Sequence, residues 1–259
     1  MNRYSDRERY FSELAETSER YYLDYLRKFK PFGDGTRVLE VGCGEGGNLL
    51  PFAQSGCEVV GVDISRGKIE NAIRFFKERG AEGLFRCVDF LDDELQDGMF
   101  DIVIAKDIME HIAPEKKVQF LRRVQLLLRP DGIAFFGFPA WQMPFGGHQQ
   151  VCMSKFLSHL PWFHLLPAFL YRFILRLFKE DKSRIDELLD IKRCKCPIEK
   201  FERVIKTKNF CVLDRLFYFI NPHYETKFHL KPRILWRWVG AIPWLRNFFT
   251  TTCLYMLKL

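Results

Sequence analysis

VLEVGCGEGGNLL, residues 38–50, begins as an apolar run, reaches the acid Glu40 and then breaks into four glycines within six positions. Glycine adopts positive φ without strain and carries no side chain, so such a loop lets a ligand touch bare backbone amides. A loop that opens a helix also places the ligand at the helix N-terminus. The stretch therefore predicts a strand, a ligand-binding loop and a helix.

Outward from this stretch, short apolar runs alternate with amphipathic helical patterns. Near-continuous apolar strands between helices are typical of a parallel sheet with both faces covered, so we predict an α/β, Rossmann-like fold. One of the helical patterns is PEKKVQFLRRVQLLLRP (114–130). The predicted strands number seven: TRVLEVG (36–42), CEVVGVD (57–63), GLFRCVD (83–89), FDIVIAK (100–106), GIAFFGFP (132–139), CVLDRLFYFI (211–220) and TTTCLYMLKL (250–259).

Composition divides the chain into four parts. Residues 1–34 form a tyrosine-rich helical segment, and residues 35–139 form the ligand-binding core. Residues 140–196 hold no clear strand and are rich in aromatic and basic side chains. Residues 197–259 complete the sheet and contain a second irregular, aromatic insertion at 221–247. We expect both insertions to fold over the carboxyl ends of the strands as a helical lid that selects the second substrate.

Glu40 separates two kinds of nucleoside ligand. Gly42, Gly44 and Gly47 satisfy GxGxxG, and Asp63 lies 21 residues past Gly42, where an acid can hold both ribose hydroxyls. A NAD-binding oxidoreductase is therefore a competing interpretation. In a poorly solvated cleft, however, a carboxylate repels a pyrophosphate strongly. S-adenosylmethionine carries an ammonium and a sulfonium but no phosphate, and it suits Glu40 better.

A third acid supports the same ligand. Asp89 ends the third predicted strand, within RCVDF, where it can accept a hydrogen bond from an adenine amino group. Phe90 follows it and can contact the ring. Ligands of open α/β sheets bind at the carboxyl ends of the strands, and three of these ends carry an acid.

The segments at 38–65, 87–90, 100–112 and 126–136 resemble the successive motifs of class I S-adenosylmethionine-dependent methyltransferases. They read VLEVGCGEGGNLLPFAQSGCEVVGVDIS, CVDF, FDIVIAKDIMEHI and LLLRPDGIAFF. The resemblance is nearest to the group that includes ubiquinone and menaquinone biosynthesis and many sugar and natural-product methyltransferases. It implies a mostly parallel seven-stranded sheet with an antiparallel last strand. It also implies S-adenosylmethionine as methyl donor and S-adenosylhomocysteine as product.

The resemblance implies a set of cofactor-binding residues along these motifs. Lys106 is a departure, because family members often carry a small or apolar residue at that position. We also expect Tyr21, one of several tyrosines in the N-terminal segment, to cover the methionine end. The implied set is Glu40, Gly42, Cys43 and Gly44 for the methionine and ribose, Asp63 for the ribose, Ile64, Asp89 and Phe90 for the adenine, and Lys106 beside the cofactor.

Two histidines are candidates for a catalytic base that takes the proton from a hydroxyl or amine acceptor. His111 follows the fourth predicted strand within MEHI, and His148 follows the fifth within FGGHQQ. The competing interpretation of His111 is a histidine that caps a helix or bonds nearby backbone, and that of His148 is a loop histidine without a partner. No Asp, Glu or His cluster has metal-ligand spacing, so we expect no metal site.

Charge and aromatic content give expectations about the acceptor. Residues 1–140 carry a net charge of −4 and residues 141–259 a net charge of +11; the basic half holds Trp162, Trp236, Trp238 and Trp244. We expect O-methylation of a small molecule or a glycan or lipid precursor. The alternatives are an RNA or protein methyltransferase that uses the basic half, with nucleic acid the less favoured partner, and a non-catalytic module that binds S-adenosylmethionine.

Cysteine content and the N-terminus suggest where the protein acts. The N-terminal residues are polar and mixed in charge, with no apolar signal segment, and the eight cysteines form no CxxC pair. We therefore expect reduced thiols and a cytoplasmic location. The basic, aromatic lid further suggests peripheral contact with the inner face of a membrane.

Overall fold

A single mixed sheet organises the computed structural model, which describes residues 6–259. The strand order is β3-β2-β1-β4-β5-β8-β6-β7. The strands β1 to β5 pair in parallel, and β8 runs antiparallel to both β5 and β6. The strands are β1 (Arg37–Val41), β2 (Glu58–Asp63), β3 (Leu84–Cys87), β4 (Phe100–Lys106), β5 (Leu128–Phe138), β6 (Cys211–Ile220), β7 (Arg233–Ile234) and β8 (Thr252–Lys258).

Helices cover both faces of this sheet, which confirms the predicted α/β, Rossmann-like fold with an antiparallel last strand. The helices are α1 (Arg7–Thr17), α2 (Asp24–Arg27), α3 (Leu50–Gln54), α4 (Arg66–Glu78), α5 (Lys117–Leu127), α6 (Lys155–His159), α7 (Ala168–Leu177), α8 (Lys182–Cys194), α9 (Ile198–Thr207), α10 (His223–Phe228), α11 (Arg237–Gly240) and α12 (Leu245–Phe249).

Two apolar clusters flank the sheet. On one face, α5 and α9 bury Phe120 and Phe201 against the strands. On the other face, α1 to α4 bury Phe11, Phe52 and Phe76. The strands are apolar on both sides because both sides are covered, and this explains the near-continuous apolar runs in the sequence.

The structure differs from the sequence prediction at three places. The helix predicted over 114–130 ends at Leu127, and Leu128 is already extended, because Pro130 cannot continue a helix. The two-residue strand β7 lies within the second insertion and adds an eighth, edge strand to the seven predicted. The N-terminal helix contains a π-helical segment, Ser18–Leu23, between α1 and α2. Tyr4, one of the tyrosines at the N-terminus, lies outside the described residues.

A third apolar cluster holds the first insertion together. It consists mainly of Leu157, Phe163, Tyr171, Leu175, Ile185 and Leu188, from α6, α7, α8 and the turn between α6 and α7. No strand lies between residues 140 and 196, as predicted. Among residues 6–259, none of the helices combines the length and the apolarity that a membrane crossing requires.

Candidate functional site

The glycine loop after β1 contains glycines of two kinds. Gly42, Gly44 and Gly46 have positive φ values of 72°, 55° and 80°. A Cβ on Gly42 would lie 2.6 Å from the Ile108 side chain, and one on Gly46 would lie 2.9 Å from Phe85. A Cβ on Gly44 would meet nothing within 4 Å. Packing therefore explains Gly42 and Gly46, whereas Gly44 leaves open space beside the loop for a ligand.

Asp63 connects the end of β2 to this loop. Its Oδ2 accepts a hydrogen bond from the Gly44 amide at 3.0 Å, and its Oδ1 accepts one from the Ser65 amide at 2.8 Å. Each carboxylate oxygen can accept more than one hydrogen bond, so both oxygens retain capacity for a ligand. The backbone bonds fix the carboxylate at the carboxyl end of the sheet, where a ribose diol can reach it.

A cavity of about 390 Å³ opens beside Asp63. Its walls include Ile64, Asp89 and Phe90, each of which the sequence assigned to adenine recognition. The Ile64 side chain is 76% exposed, although it is apolar, and Phe90 is buried against Phe120. An apolar residue left uncovered on the wall of a cavity is suited to pack on a flat ring. Asp89 is exposed, and its Oδ1 accepts a hydrogen bond from the Leu91 amide.

A larger cavity of about 490 Å³ adjoins the first one, and the two share Gly42 and His111. Cys43 and Gly44 line it on the loop side. Both insertions and the N-terminal helix contribute much of the rest, together with Lys106 and Asp107 at the end of β4. These walls include Tyr10 and Leu14 from α1, Met143, Phe145, His148 and Val151 from the first insertion, and His223, Tyr224 and Lys227 from the second.

Glu40 lies behind the loop and is not part of either cavity wall. Its side chain is buried, and Asn48, which does line the larger cavity, donates a hydrogen bond to Glu40 Oε1 at 2.7 Å. The other oxygen, Oε2, is buried and has no hydrogen-bond partner among residues 6–259. Burial raises the pKa of Glu40 to about 8, although the Asn48 bond lowers it. Glu40 can thus act on a ligand through Asn48, and a cation bound nearby would favour its charged form.

Lys106, at the end of β4, is buried and forms an ion pair with Asp107. Burial lowers its pKa, but the Asp107 carboxylate more than offsets this effect, so the pKa is raised overall. The ammonium also lies 5.7 Å from the centre of the Tyr22 ring. Asp107 has a positive φ of 51°, which is uncommon for a residue with a side chain, although Asp adopts it more readily than most.

His111 and His148 lie together on the wall of the larger cavity. Their ring centres are 5.0 Å apart in an edge-to-face arrangement. His148 has a positive φ of 54°. Desolvation lowers the pKa of His111 to about 4 and also lowers the pKa of His148. Both imidazoles are therefore neutral at neutral pH, the form that can accept a proton.

Glu110 joins the two histidines in a cluster that sequence spacing did not reveal. One ligand atom from each of the three side chains lies within 4.8 Å of the others, close enough to hold a metal ion. Glu110 Oε2 is buried and has no hydrogen-bond partner in the described part of the chain, and burial raises the pKa of this carboxyl. The three residues come from two separate loops, and so no single motif contains them. The absence of a catalytic metal stays a prediction.

Tyr21 lies elsewhere than expected. Its hydroxyl donates a hydrogen bond to the carboxylate of Glu225 on α10, and its ring is part of neither cavity wall. Tyr10, one turn after the start of α1, lines the larger cavity instead. The π-helical segment that contains Tyr21 packs against α3 and the glycine loop, while its side chain reaches towards α10.

Sequence reasoning missed His223, which is on the wall of the larger cavity. His223 is half-buried; its Nδ1 lies 3.1 Å from Thr17 Oγ1 of α1, and its Nε2 has no hydrogen-bond partner among the described residues. Burial lowers its pKa to about 4. The second insertion was predicted as lid, but only the packing of α10 on α1 brings this imidazole to the site.

These residues fit S-adenosylmethionine. Three acids lie at or behind the carboxyl ends of β1, β2 and β3, and Gly44 leaves room beside the backbone. Glu40 has one oxygen that no described residue bonds. The smaller cavity matches an adenosine in character, with an acid for the diol and apolar walls for the base. A pyrophosphate in this site would meet the Asp63 carboxylate with like charge, and it would offer no positive charge to the buried Glu40.

Comparisons with known proteins agree with this fit. A family model described as a methyltransferase domain matches residues 38–132. An uncharacterized protein from Rickettsia prowazekii is 30% identical over 135 residues, which are 47% of this chain and 54% of that protein. A ubiquinone biosynthesis O-methyltransferase from Bordetella avium is 32% identical over 117 residues, 44% of this chain and 47% of that protein. The chain thus spans about half the length of the curated relatives it matches.

Similarity to solved structures extends over nearly the whole chain. The crystal structure of an S-adenosylmethionine-dependent methyltransferase from Clostridium acetobutylicum superposes with a TM-score of 0.60 at 12% identity, over 94% of this chain and 91% of that one. At this identity the likeness shows the fold. The matched domain, residues 38–132, contains the motifs of the glycine loop and is that of a class I S-adenosylmethionine-dependent methyltransferase.

Proposed function

We propose that this protein transfers the methyl group of S-adenosylmethionine to an oxygen atom of a small molecule or of a glycan or lipid precursor. The observation that carries the proposal is the pair of adjoining cavities. One has the acids and apolar walls that suit an adenosine, and the other holds two neutral histidines. Gly42 and His111 belong to both walls, so a donor in one cavity and an acceptor in the other would meet at this boundary.

On the donor side, the residues of the chain bind S-adenosylmethionine and orient it. Asp63 accepts hydrogen bonds from the ribose hydroxyls, Asp89 accepts from the adenine amino group, and Ile64 and Phe90 pack on the ring. Gly44 exposes backbone beside the methionine part, and Glu40 attracts the ammonium. When bound, S-adenosylmethionine supplies a methyl group that is already activated by its sulfonium. The remaining task of the protein is largely to position the acceptor.

On the acceptor side, His148 removes the proton of the attacking hydroxyl. The lowered pKa keeps the imidazole unprotonated at neutral pH, and the residue lies on the wall where the acceptor must bind. His111, 5.0 Å away between ring centres, orients the hydroxyl or shares the proton. A positioned base of this kind contributes about 10²- to 10⁴-fold to the rate.

The acceptor cavity favours a substrate with a polar head and an apolar part. Met143, Phe145 and Val151 provide apolar wall from the first insertion, whereas His148 and His223 provide polar groups. The relative from Bordetella avium bears the name of an O-methyltransferase of ubiquinone biosynthesis, which supports an oxygen acceptor. We also propose that the lid, residues 140–196, contacts a membrane surface as a peripheral partner.

An acceptor panel tests the proposed reaction. The purified protein is incubated with S-adenosylmethionine and one of three acceptors: phenols with a prenyl tail, the same phenols without it, or a mixed RNA. Release of S-adenosylhomocysteine and the mass of the product are measured. We expect methylated phenol, formed faster when the tail is present. Turnover on RNA alone, or binding of S-adenosylhomocysteine without turnover of any small molecule, would contradict the proposal.

A further inference from the structure

Helix α7 carries apolar side chains on two opposite faces. Tyr171 and Leu175 are fully buried in the apolar cluster of the first insertion. On the other side, Phe169, Phe173 and Leu177 are 77%, 61% and 65% exposed. Their spacing of four residues places them in one row along the helix, called here the α7 stripe. The outer face of a surface helix is normally polar, and this one is not.

Other exposed apolar residues lie close to the α7 stripe in the sequence. Phe178 stacks on Phe156 of α6 with ring centres 5.7 Å apart, and both rings are exposed. Met153, just before α6, is 64% exposed. A soluble monomer rarely leaves a row of large apolar side chains uncovered, and such a surface marks an interface with a membrane or another protein.

The charged residues on α7 itself, and in the sequence that leads to it, are of one sign. Arg172, Arg176 and Lys179 are exposed, whereas residues 132–179 contain no Asp or Glu at all. A second copy of this chain would bring two positive surfaces together. An anionic surface with an apolar layer beneath it complements both the charges and the stripe. A bilayer containing acidic lipids has this composition, and basic helices with Phe or Leu on one face bind it in the plane of the interface.

The length of α7 limits how it can meet a bilayer. Ten residues of α-helix span about 15 Å, half the hydrocarbon thickness of a membrane. Helix α7 can therefore lie along the surface but cannot cross it. This agrees with the finding that no helix within residues 6–259 could span a membrane.

We propose that the α7 stripe, with Arg172 and Arg176 beside it, docks this protein on a bilayer surface that contains anionic lipids. Phe169, Phe173 and Leu177 enter the interfacial layer, and the guanidinium groups contact lipid phosphates. Docking deepens the proposed function, since it would bring the lid to membrane-held acceptors. It is nevertheless measured without donor or acceptor, so its failure and that of methyl transfer are distinguishable.

Vesicle binding tests this proposal. The protein is sedimented with phosphatidylcholine vesicles with or without phosphatidylglycerol, and the bound fraction is measured at low and high salt. We expect binding to the anionic vesicles, weakened by salt. The triple variant F169S/F173S/L177S should lose about tenfold or more in affinity, because binding scales with the buried apolar area. R172Q and R176Q should each lose about fivefold, from about 1 kcal/mol per basic residue near the surface.

A matched control distinguishes the α7 stripe from general surface apolarity. Ile73, Val118 and Leu126 are exposed apolar residues on α4 and α5. The variant I73S/V118S/L126S should bind vesicles like the wild type, and all variants should keep the wild-type thermal transition. Equal binding by both triple variants would overturn the proposal, as would binding that depends only on the exposed Trp236 and Trp238. A concentration-dependent dimer that only the α7 variant abolishes would also overturn it and assign the stripe to a second copy.

Discussion

Glu40 is an acidic residue whose burial strongly disfavours its charged form. Its carboxyl is buried; one oxygen accepts a hydrogen bond from Asn48, and the other has no partner within the described residues. Enclosure raises its pKa to about 8, so the uncharged form dominates at neutral pH. A cationic ligand nearby would favour the charged form. A bound cation would therefore stabilise the Glu40 carboxylate, which burial alone disfavours.

The substitution E40Q tests this description through stability. The folded pKa of about 8 lies above the ordinary value of 4.5, so the carboxyl's contribution is fully present below 4.5 and is lost as the pH rises through 8. Wild-type unfolding free energy should decline by about 1.4 kcal/mol per pH unit between these values relative to E40Q. Urea denaturation at about pH 5 and about pH 8 measures this. Parallel pH curves for the two proteins would contradict the raised pKa.

The substitution H148A tests the base. We expect turnover to fall at least about tenfold while the affinity for S-adenosylhomocysteine stays unchanged, because His148 lines the acceptor side. Since the pKa of His148 is lowered from 6.5, the acid limb of the wild-type kcat/KM profile should lie below pH 6.5 and should shift or vanish in H148A. The control is H159A, an exposed lid histidine that bonds the Lys155 carbonyl.

Treatment with a chelator distinguishes a catalytic base from a metal ligand at His148. Dialysis against EDTA should leave wild-type turnover unchanged if His148 acts as a base. Loss of turnover that Zn²⁺ restores would instead assign Glu110, His111 and His148 to a metal site. Wild-type turnover in H148A would remove this histidine from the mechanism altogether.

At the scale of elements, α12 is tied to the start of α9 by a buried polar network. Asn247 Oδ1 accepts a hydrogen bond from the Ile198 amide at 2.8 Å, and its Nδ2 donates to Glu199 at 2.7 Å. Arg246 donates to the same carboxylate at 2.9 Å. The Ile198 amide belongs to the first turn of α9, where a backbone N–H finds no acceptor within its own helix. These hydrogen bonds thus fix the C-terminal end of the second insertion just before β8.

The substitution N247A should destabilise the fold without weakening cofactor binding. It leaves the Ile198 amide and part of the Glu199 carboxylate without a buried partner, at a cost of about 1–3 kcal/mol for each group. N71A, on the outer side of α4, should cost less than about 0.5 kcal/mol. Chemical denaturation measures both, together with the affinity for S-adenosylhomocysteine. A loss of affinity in N247A as large as its loss of stability would show that the network reaches the site.

Elements with a strong local signal were predictable, and elements that depend on tertiary contacts were not. The first five strands and α4 follow from apolar period and glycine position. The strand β7 has two residues and exists only because β6 offers an edge. His223 reaches the cavity only through the packing of α10 on α1, over more than 200 residues of sequence. Local patterns carry no information about such distant contacts.

At the scale of the whole molecule, the two halves of the chain meet at one boundary. The acidic half, residues 1–140, supplies the glycine loop and the three acids, whereas the basic half supplies His148, His223 and the α7 stripe. The nucleoside side was predictable because one continuous run of motifs forms it. The acceptor side was predictable only in outline, as a lid, since its walls come from three separate segments.

Isothermal titration calorimetry of the purified protein with S-adenosylhomocysteine, and separately with NAD⁺, tests most directly whether the loop at 42–47 and Asp63 hold a nucleoside without phosphate. We predict one molecule of S-adenosylhomocysteine bound per chain and no heat from NAD⁺. The variant D63A should bind S-adenosylhomocysteine at least tenfold more weakly, because the ribose diol loses its acceptor at a cost of about 1.4 kcal/mol or more. Saturable binding of NAD⁺ with none of S-adenosylhomocysteine would contradict the account.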